Sequence, residues 1–440
     1  MTPKKAPSTP RVDITALCVP TSWKQNGKAT QRKVRALLAE HNAAWAQAQS
    51  TGLVHASSDD ALVDRLVSRS VEWANRSYVV VGDLGGSGGR GVAAMLMHQG
   101  VFMPHVHPAT LDSSFFWPRL FPQFKQALLA GPARLDYQPD DVPRAAWQIE
   151  AGRYRQEVGK VLGALRGELK CYYQNLVLRA RLAGAAGAVP RREEESLFAP
   201  PWSAIGWKNG NSAYYIPLLR QLLGAQLKYV HLVRNGTTMM WSDNLNQLRS
   251  SCTGGKCFTN ASSRPRLIYA WDAVDALGAQ VAKCYEGRSQ RGVDHYRKQL
   301  MQAQMWAVVN RGVVAALKGG GSARSLGSTS HHTVRIEDFV RGIGVLRLLR
   351  FAGIPCSHFL EGSCEQAEGE WGQSLSTIAH VMLDKSALAA CSPHPNTSCA
   401  AVALLRAARS DRTFGAAMSE FGYWPSLLPP MPEPQCQKSP

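Results

Sequence analysis

Long apolar runs are missing from this chain. No stretch of the 440 residues approaches the roughly 18–20 consecutive apolar residues that a bilayer-spanning helix takes, so no transmembrane segment is expected. The first 33 residues are polar and basic without an apolar signal region, so nothing marks secretion. Metal-type cysteine spacing is missing as well. Ten cysteines include no C-x-x-C pair, and ten in this length do not make a disulfide scaffold. Cys252/Cys257 and Cys391/Cys399 lie close enough along the chain to pair, but without a signal segment the expectation is reduced thiols and a cytoplasmic protein. The scarce charge is the acidic one. Thirty-two Asp and Glu stand against 50 Lys and Arg, a net +18, which calls for an anionic partner. The basic residues are scattered, and the densest cluster, Arg191-Arg192, runs straight into Glu193-Glu194-Glu195. No Lys/Arg stripe interleaves with aromatics, so nucleic acid is disfavoured against phosphate- or sulfate-bearing small molecules.

What is present alternates. Residues 1–28 are rich in Pro, Lys, Thr and Ser and are expected to form a disordered basic tail, and 426–440 a proline-rich irregular one. Between them, 29–425 reads as a single domain. Helical spacing covers about 31–45 and 61–73, and then Tyr78-Val79-Val80-Val81 has the profile of a buried parallel strand. Two helices are predicted over Ala145–Gly167 and Glu168–Leu182, with further helices near 270–285 and 294–317. Strands are predicted at Leu227–Val233 and Thr333–Ile336, the latter leading into a basic amphipathic helix to about Phe351. Strands alternating with helices predict an α/β fold, a central parallel sheet flanked by helices, with helical insertions at about 130–200 and 355–425.

Two segments carry anion chemistry. Gly85-Gly86-Ser87-Gly88-Gly89-Arg90-Gly91 follows the first strand and opens a helix at Val92. Consecutive backbone N–H groups at such a turn cradle a phosphate, glycine lets the anion approach, and Arg90 adds a cation. The Lys-Ser/Thr ending of a nucleotide-triphosphate loop is absent. The second segment ends the 227–233 strand at Arg234, turns at Asn235-Gly236, and places Ser242 eight positions after the arginine. One charged and one neutral donor suit a phosphate monoester.

In that order the two segments resemble the 3′-phosphoadenosine-5′-phosphosulfate (PAPS)-dependent sulfotransferase superfamily. Ile205-Gly206-Trp207-Lys208-Asn209 through Tyr214-Tyr215 is similar to the lysine-bearing segment that lies between those motifs. Val334-Arg335-Ile336-Glu337-Asp338-Phe339 is similar to the family's later strand and turn. The likeness covers roughly 78–120 and 203–350. It implies a P-loop-like sulfotransferase fold and an enzyme using PAPS as co-substrate without a metal. The acceptor it implies is a hydroxyl or amine on a small molecule or glycan. Donor contacts would come from Gly86, Ser87, Gly88, Gly89, Arg90, Gly91, Val92, Arg234 and Ser242, and Lys208 would be a catalytic cation. The chain departs from the family at Gly89, where a cation is common, and at Val92 and Ala93, which replace two threonines. Those changes shift donor binding toward backbone amides.

The same resemblance points to Asp112, in Asp112-Ser113-Ser114-Phe115-Phe116 and 21 residues after Gly91, as the general base. Asp followed by serines is also a good helix N-cap. His105 and His107 in Met103-Pro-His-Val-His-Pro108 are rival bases. Trp207, Trp241 and Tyr215 are candidates to stack on adenine or to fill the core. Glu337-Asp338 offers a carboxylate pair for acid–base work, whereas the resemblance implies a turn that mainly anchors the sheet, which is the expected role. Two other readings fit parts of the pattern: a nucleotide-dependent phosphotransferase, and a non-catalytic PAPS-binding protein.

Overall fold

The computed structural model describes residues 39, 42–84, 87–104, 106–107, 110–113, 141–184, 200–241, 256–265, 267–284, 290–318, 330–354 and 399–423. Among these residues five strands make one parallel sheet: β1 (Tyr78–Asp83), β2 (Val101–Phe102), β3 (Ala204–Lys208), β4 (Leu227–Val233) and β5 (His331–Arg335). Their spatial order is β2-β3-β1-β4-β5. Parallel neighbours need long return paths, which helices supply. The principal helices are α1 (Ala56–Ala74), α2 (Gly89–His98), α3 (Arg144–Gly184), α4 (Ile216–Leu223) and α5 (Gly236–Met240). They continue with α6 (Trp271–Cys284), α7 (Gln290–Lys318), α8 (Ile336–Phe339), α9 (Val345–Phe351), α10 (Cys399–Ser410) and α11 (Arg412–Glu420).

Strand periodicity divides the interior into two cores. Tyr78, Val80, Ile205, Trp207, Tyr229 and Val233 face α1, α3, α4 and α7. Val79, Val81, Ala204, Val230, Leu232 and Val334 face α2 and α9. A sheet buried on both faces explains why β1 and β4 are near-continuous apolar runs. Gly206 in β3 is required by closeness: a Cβ there would stand 2.7 Å from the Val79 carbonyl oxygen and from Val101. The chain leaves β1 for β2 on one side, returns to β3 beside β1, then crosses β1 to reach β4. In such sheets the crevice beyond the carboxyl ends of the strands, at that reversal, is where ligands bind.

Several expectations need correction. The two helices expected over Ala145–Gly167 and Glu168–Leu182 are one: α3 runs unbroken for 41 residues. Its buried stripe, Trp147, Ala151, Tyr154, Val161, Leu165, Leu169, Tyr173 and Val177, keeps the helical period straight through the glycine. That burial offsets the roughly 1 kcal/mol a mid-helix glycine costs. Nor is α3 a peripheral insertion, because its stripe joins the core under β1 and β3. The amphipathic helix after β5 is two short helices, α8 and α9, separated where Gly342 and Gly344 adopt positive φ. Two strands were not expected, β2 and β3. The expectation of reduced thiols fails at Cys171, Cys257 and Cys284, which are disulfide-bonded. Among the described residues no helix is long and apolar enough to cross a membrane. The tails 1–28 and 426–440, and 355–398 of the second insertion, lie outside the described residues.

Candidate functional site

The carboxyl edge of the sheet gathers most of the nominated residues. β1 leads toward the glycine segment, β3 ends on Lys208, β4 is followed at once by Arg234, and β5 by the turn of helix that carries Glu337. Helix α2 begins after Gly88, whose φ of +85° only glycine adopts without strain, and no side chain caps its N-terminus. The Gly91 N–H bonds the Gly88 carbonyl at 3.0 Å and the Ser87 N–H bonds that of Leu84 at 2.9 Å, so the loop folds tightly onto the helix start. Ser87 is buried against α5, its Oγ 4.0 Å from the Met239 sulfur. Val92 and Ala93, where the family has threonines, are fully buried in the core beneath α2. Their side chains serve the core and are not presented at the helix start. Arg90 is exposed on the first turn. Gly86, Ser242 and His105 lie outside the described residues.

Lys208 and Asp112 meet. The Lys208 ammonium donates to Asp112 Oδ1 at 2.7 Å and to the Thr110 carbonyl at 3.2 Å. The lysine side chain is 8% exposed and the aspartate 25%, so the pair sits at a mouth, with the carboxylate on its wetter side. A tight turn presents Asp112. The His107 N–H bonds the Asp112 carbonyl at 2.8 Å, the Leu111 N–H bonds that of His107 at 2.7 Å, and the Ser113 N–H bonds that of Lys208 at 2.9 Å. Leu111 closes the turn with φ of +54°, the one non-glycine residue with positive φ among those described. Such a conformation costs on the order of 1–3 kcal/mol, and strain of this kind concentrates at functional sites. His107 shares the turn through its backbone but is exposed. The residues that Asp112 would cap as a helix N-cap, from Ser114 on, lie outside the described residues.

Arg234 is buried to 3% exposure at the end of β4. Helix α7 holds that strand end: the Trp306 indole donates to the Arg234 carbonyl at 2.9 Å, and Asn310 bonds His231 at 2.8 Å. Asn235 caps α5 by accepting from the Thr237 and Thr238 N–H groups. Glu337 accepts the Asn235 N–H at 2.8 Å and the Tyr423 hydroxyl at 2.7 Å, which ties β4, β5 and the C-terminal helices together. Burial, and then that carboxylate, raise the Tyr423 phenol. Both Glu337 oxygens are thus engaged in anchoring. Trp207 lies on the opposite face from Lys208, edge-on to Tyr78 and Tyr154, and Trp241 is edge-on to Tyr296.

Sequence reasoning missed Glu150. It sits on the buried stripe of α3 with no side-chain exposure, and neither carboxylate oxygen accepts a hydrogen bond. Among the described residues its ionic partner is Arg153, 3.5 Å away and 42% exposed. Burial, partly countered by Arg153, pushes the carboxyl up to about 7 from the usual 4.5. The signal was available: between Trp147 and Tyr154 the core face of α3 carries an acid where the period demands an apolar residue. The stability effect has a definite sign. Between about 4.5 and 7 the unfolded chain ionises first, so this group's contribution to stability falls as pH rises through that window. Glu150→Gln, a mimic of the protonated form, should be more stable than the parent at pH 8, by up to about 3 kcal/mol, with the difference gone near pH 4. Urea unfolding at the two pH values measures it.

No protein-family model, curated protein or solved structure gives a significant match to the chain.

Proposed function

We propose that this protein is a PAPS-dependent sulfotransferase built on a P-loop-like sulfotransferase fold, acting on a hydroxyl or amine of a small molecule or glycan. One observation carries the reading. Lys208 and Asp112, nominated separately for two catalytic roles and 96 residues apart, form a 2.7 Å ion pair at the carboxyl edge of a parallel sheet. The glycine loop at the start of α2 and the buried Arg234 lie at the same edge, on the neighbouring strands β1 and β4. A backbone cradle and a buried guanidinium fit a donor with phosphate at both its 5′ and 3′ positions.

Bound there, PAPS supplies the sulfuryl group and departs as 3′,5′-adenosine bisphosphate. Asp112 accepts the proton of the attacking hydroxyl or amine. Lys208 orients that carboxylate and supplies positive charge where negative charge develops on the leaving oxygen. The α2 N–H groups and Arg234 hold the nucleotide. Three disulfide-bonded cysteines favour an oxidising compartment over the cytosol as its place of work.

Nucleotide binding tests the reading. By calorimetry, 3′,5′-adenosine bisphosphate should bind more tightly than 5′-AMP, and ATP with Mg²⁺ poorly. Equal affinity for the first two nucleotides would remove the donor site. A radiolabelled-PAPS transfer screen over pooled metabolites and glycans then identifies the acceptor.

A further inference from the structure

Across the sheet from Lys208, a half-open cleft lies between α3, the end of β3 and the turn 210–215 that leads into α4. Glu150 and Tyr154 come from α3, Trp207 and Asn209 from the end of β3, and Ser212 and Tyr215 from the turn. The free space is about 20 Å³, room for one water-sized group.

The chemistry of the lining is unusual for so small a space. A carboxyl with no side-chain exposure and no hydrogen bond to either oxygen faces it. A buried carboxylate without hydrogen bonds, its charge offset only by the 42% exposed Arg153 at 3.5 Å, costs several kcal/mol, which an apolar residue at that place on α3 would avoid. Three aromatic side chains line the same cleft, and aromatic faces attract cations. Asn209 and Ser212 add neutral polar groups. A carboxylate among aromatic rings, with space for a single small polar group, is complementary to an ammonium head. Neutral water would add no charge to the partial compensation that the half-exposed Arg153 gives the carboxyl from 3.5 Å.

We infer that this cleft is a binding site for a primary ammonium group, as borne by a small alkylamine, with Glu150 as its counter-ion. The ammonium nitrogen is the size of a water and donates three hydrogen bonds. Glu150 takes one or two of them, and the aromatic rings shield the charge. An alkyl chain leaves through the open side. The carboxyl's rise toward neutrality when empty fits a group that ionises fully only when its cation enters. The site is separate from the Lys208–Asp112 pair, because Trp207 and Lys208 are successive residues on opposite faces of β3. It therefore does not rest on the sulfuryl-transfer reading.

Calorimetry on the full chain, without nucleotide and at constant ionic strength, tests it with n-butylammonium chloride as the probe. The expected result is saturable one-site binding, weakened about tenfold or more in Glu150→Gln. Tetramethylammonium, which has no N–H and is too bulky for the space, should not compete. Ser212→Val, which narrows the cleft and leaves the carboxyl in place, should also weaken binding, so the inference stays testable if Glu150→Gln folds poorly. Absence of saturable butylammonium binding would overturn the inference. So would binding unchanged in Glu150→Gln, or competition by tetramethylammonium or potassium as effective as that of butylammonium.

Discussion

Replacing Asp112 by Asn should lower sulfuryl turnover roughly 10²–10⁴-fold, the usual worth of a general base, and leave affinity for 3′,5′-adenosine bisphosphate nearly unchanged. The asparagine keeps an oxygen where Asp112 Oδ1 accepts from Lys208 at 2.7 Å, so the lysine retains a partner. The turn is held by backbone hydrogen bonds from His107, Leu111 and Ser113, which the substitution does not touch. What disappears is the capacity to take a proton. The discriminating comparison is His107→Ala. His107 is exposed and its Nδ1 is 3.4 Å from the Thr110 hydroxyl, so its loss should act on acceptor affinity and spare the chemical step. Single-turnover rates and nucleotide titrations on both variants separate the cases. Full turnover in Asp112→Asn, with an inactive His107→Ala that still binds donor, would transfer the role to the histidine.

How far the site could be read without coordinates depends on the distance over which each feature is determined. Strand β4 was legible to the residue. Its apolar, β-branched run stops at Arg234-Asn235-Gly236, where charge, a cap and a turn coincide. Strand β3 was not, because Ala-Ile-Gly-Trp-Lys has one β-branched residue and a glycine, and pairing with β1 and β2 makes it a strand. The unbroken α3 was obscured by Gly167, a local breaker overridden by burial on either side of it. Asp112 and Lys208 could each be nominated from a motif. Their contact could not, since it depends on β3 inserting beside β1 and on the strained Leu111 turn reaching back to it. Glu150 carries no motif at all. Its importance comes from burial and from carboxylate oxygens left without hydrogen bonds, which only the folded chain defines.

Arg234→Ala should weaken binding of 3′,5′-adenosine bisphosphate by about 2–4 kcal/mol, roughly 30- to 1,000-fold, with 5′-AMP affected far less. The size follows from burial. A guanidinium 3% exposed makes its phosphate contact largely out of water, where a charged hydrogen bond is worth most. The selectivity follows from position: Arg234 directly follows β4, whereas the α2 cradle that would take the 5′ side follows β1. A buried arginine can also hold a fold together, so the nucleotide comparison matters more than the loss itself. Several contacts that hold this strand end belong to backbone and neighbours. Trp306 bonds the Arg234 carbonyl, Glu337 the Asn235 N–H, and Asn310 the His231 ring, all of which survive truncation of the Arg234 side chain. Arg234→Lys should recover part of the affinity, because an ammonium restores the charge without the two-pronged geometry. If Arg234→Ala weakens both nucleotides equally, or if its thermal unfolding midpoint collapses and Arg234→Lys behaves the same way, the arginine is a structural element. The 3′-phosphate assignment then fails.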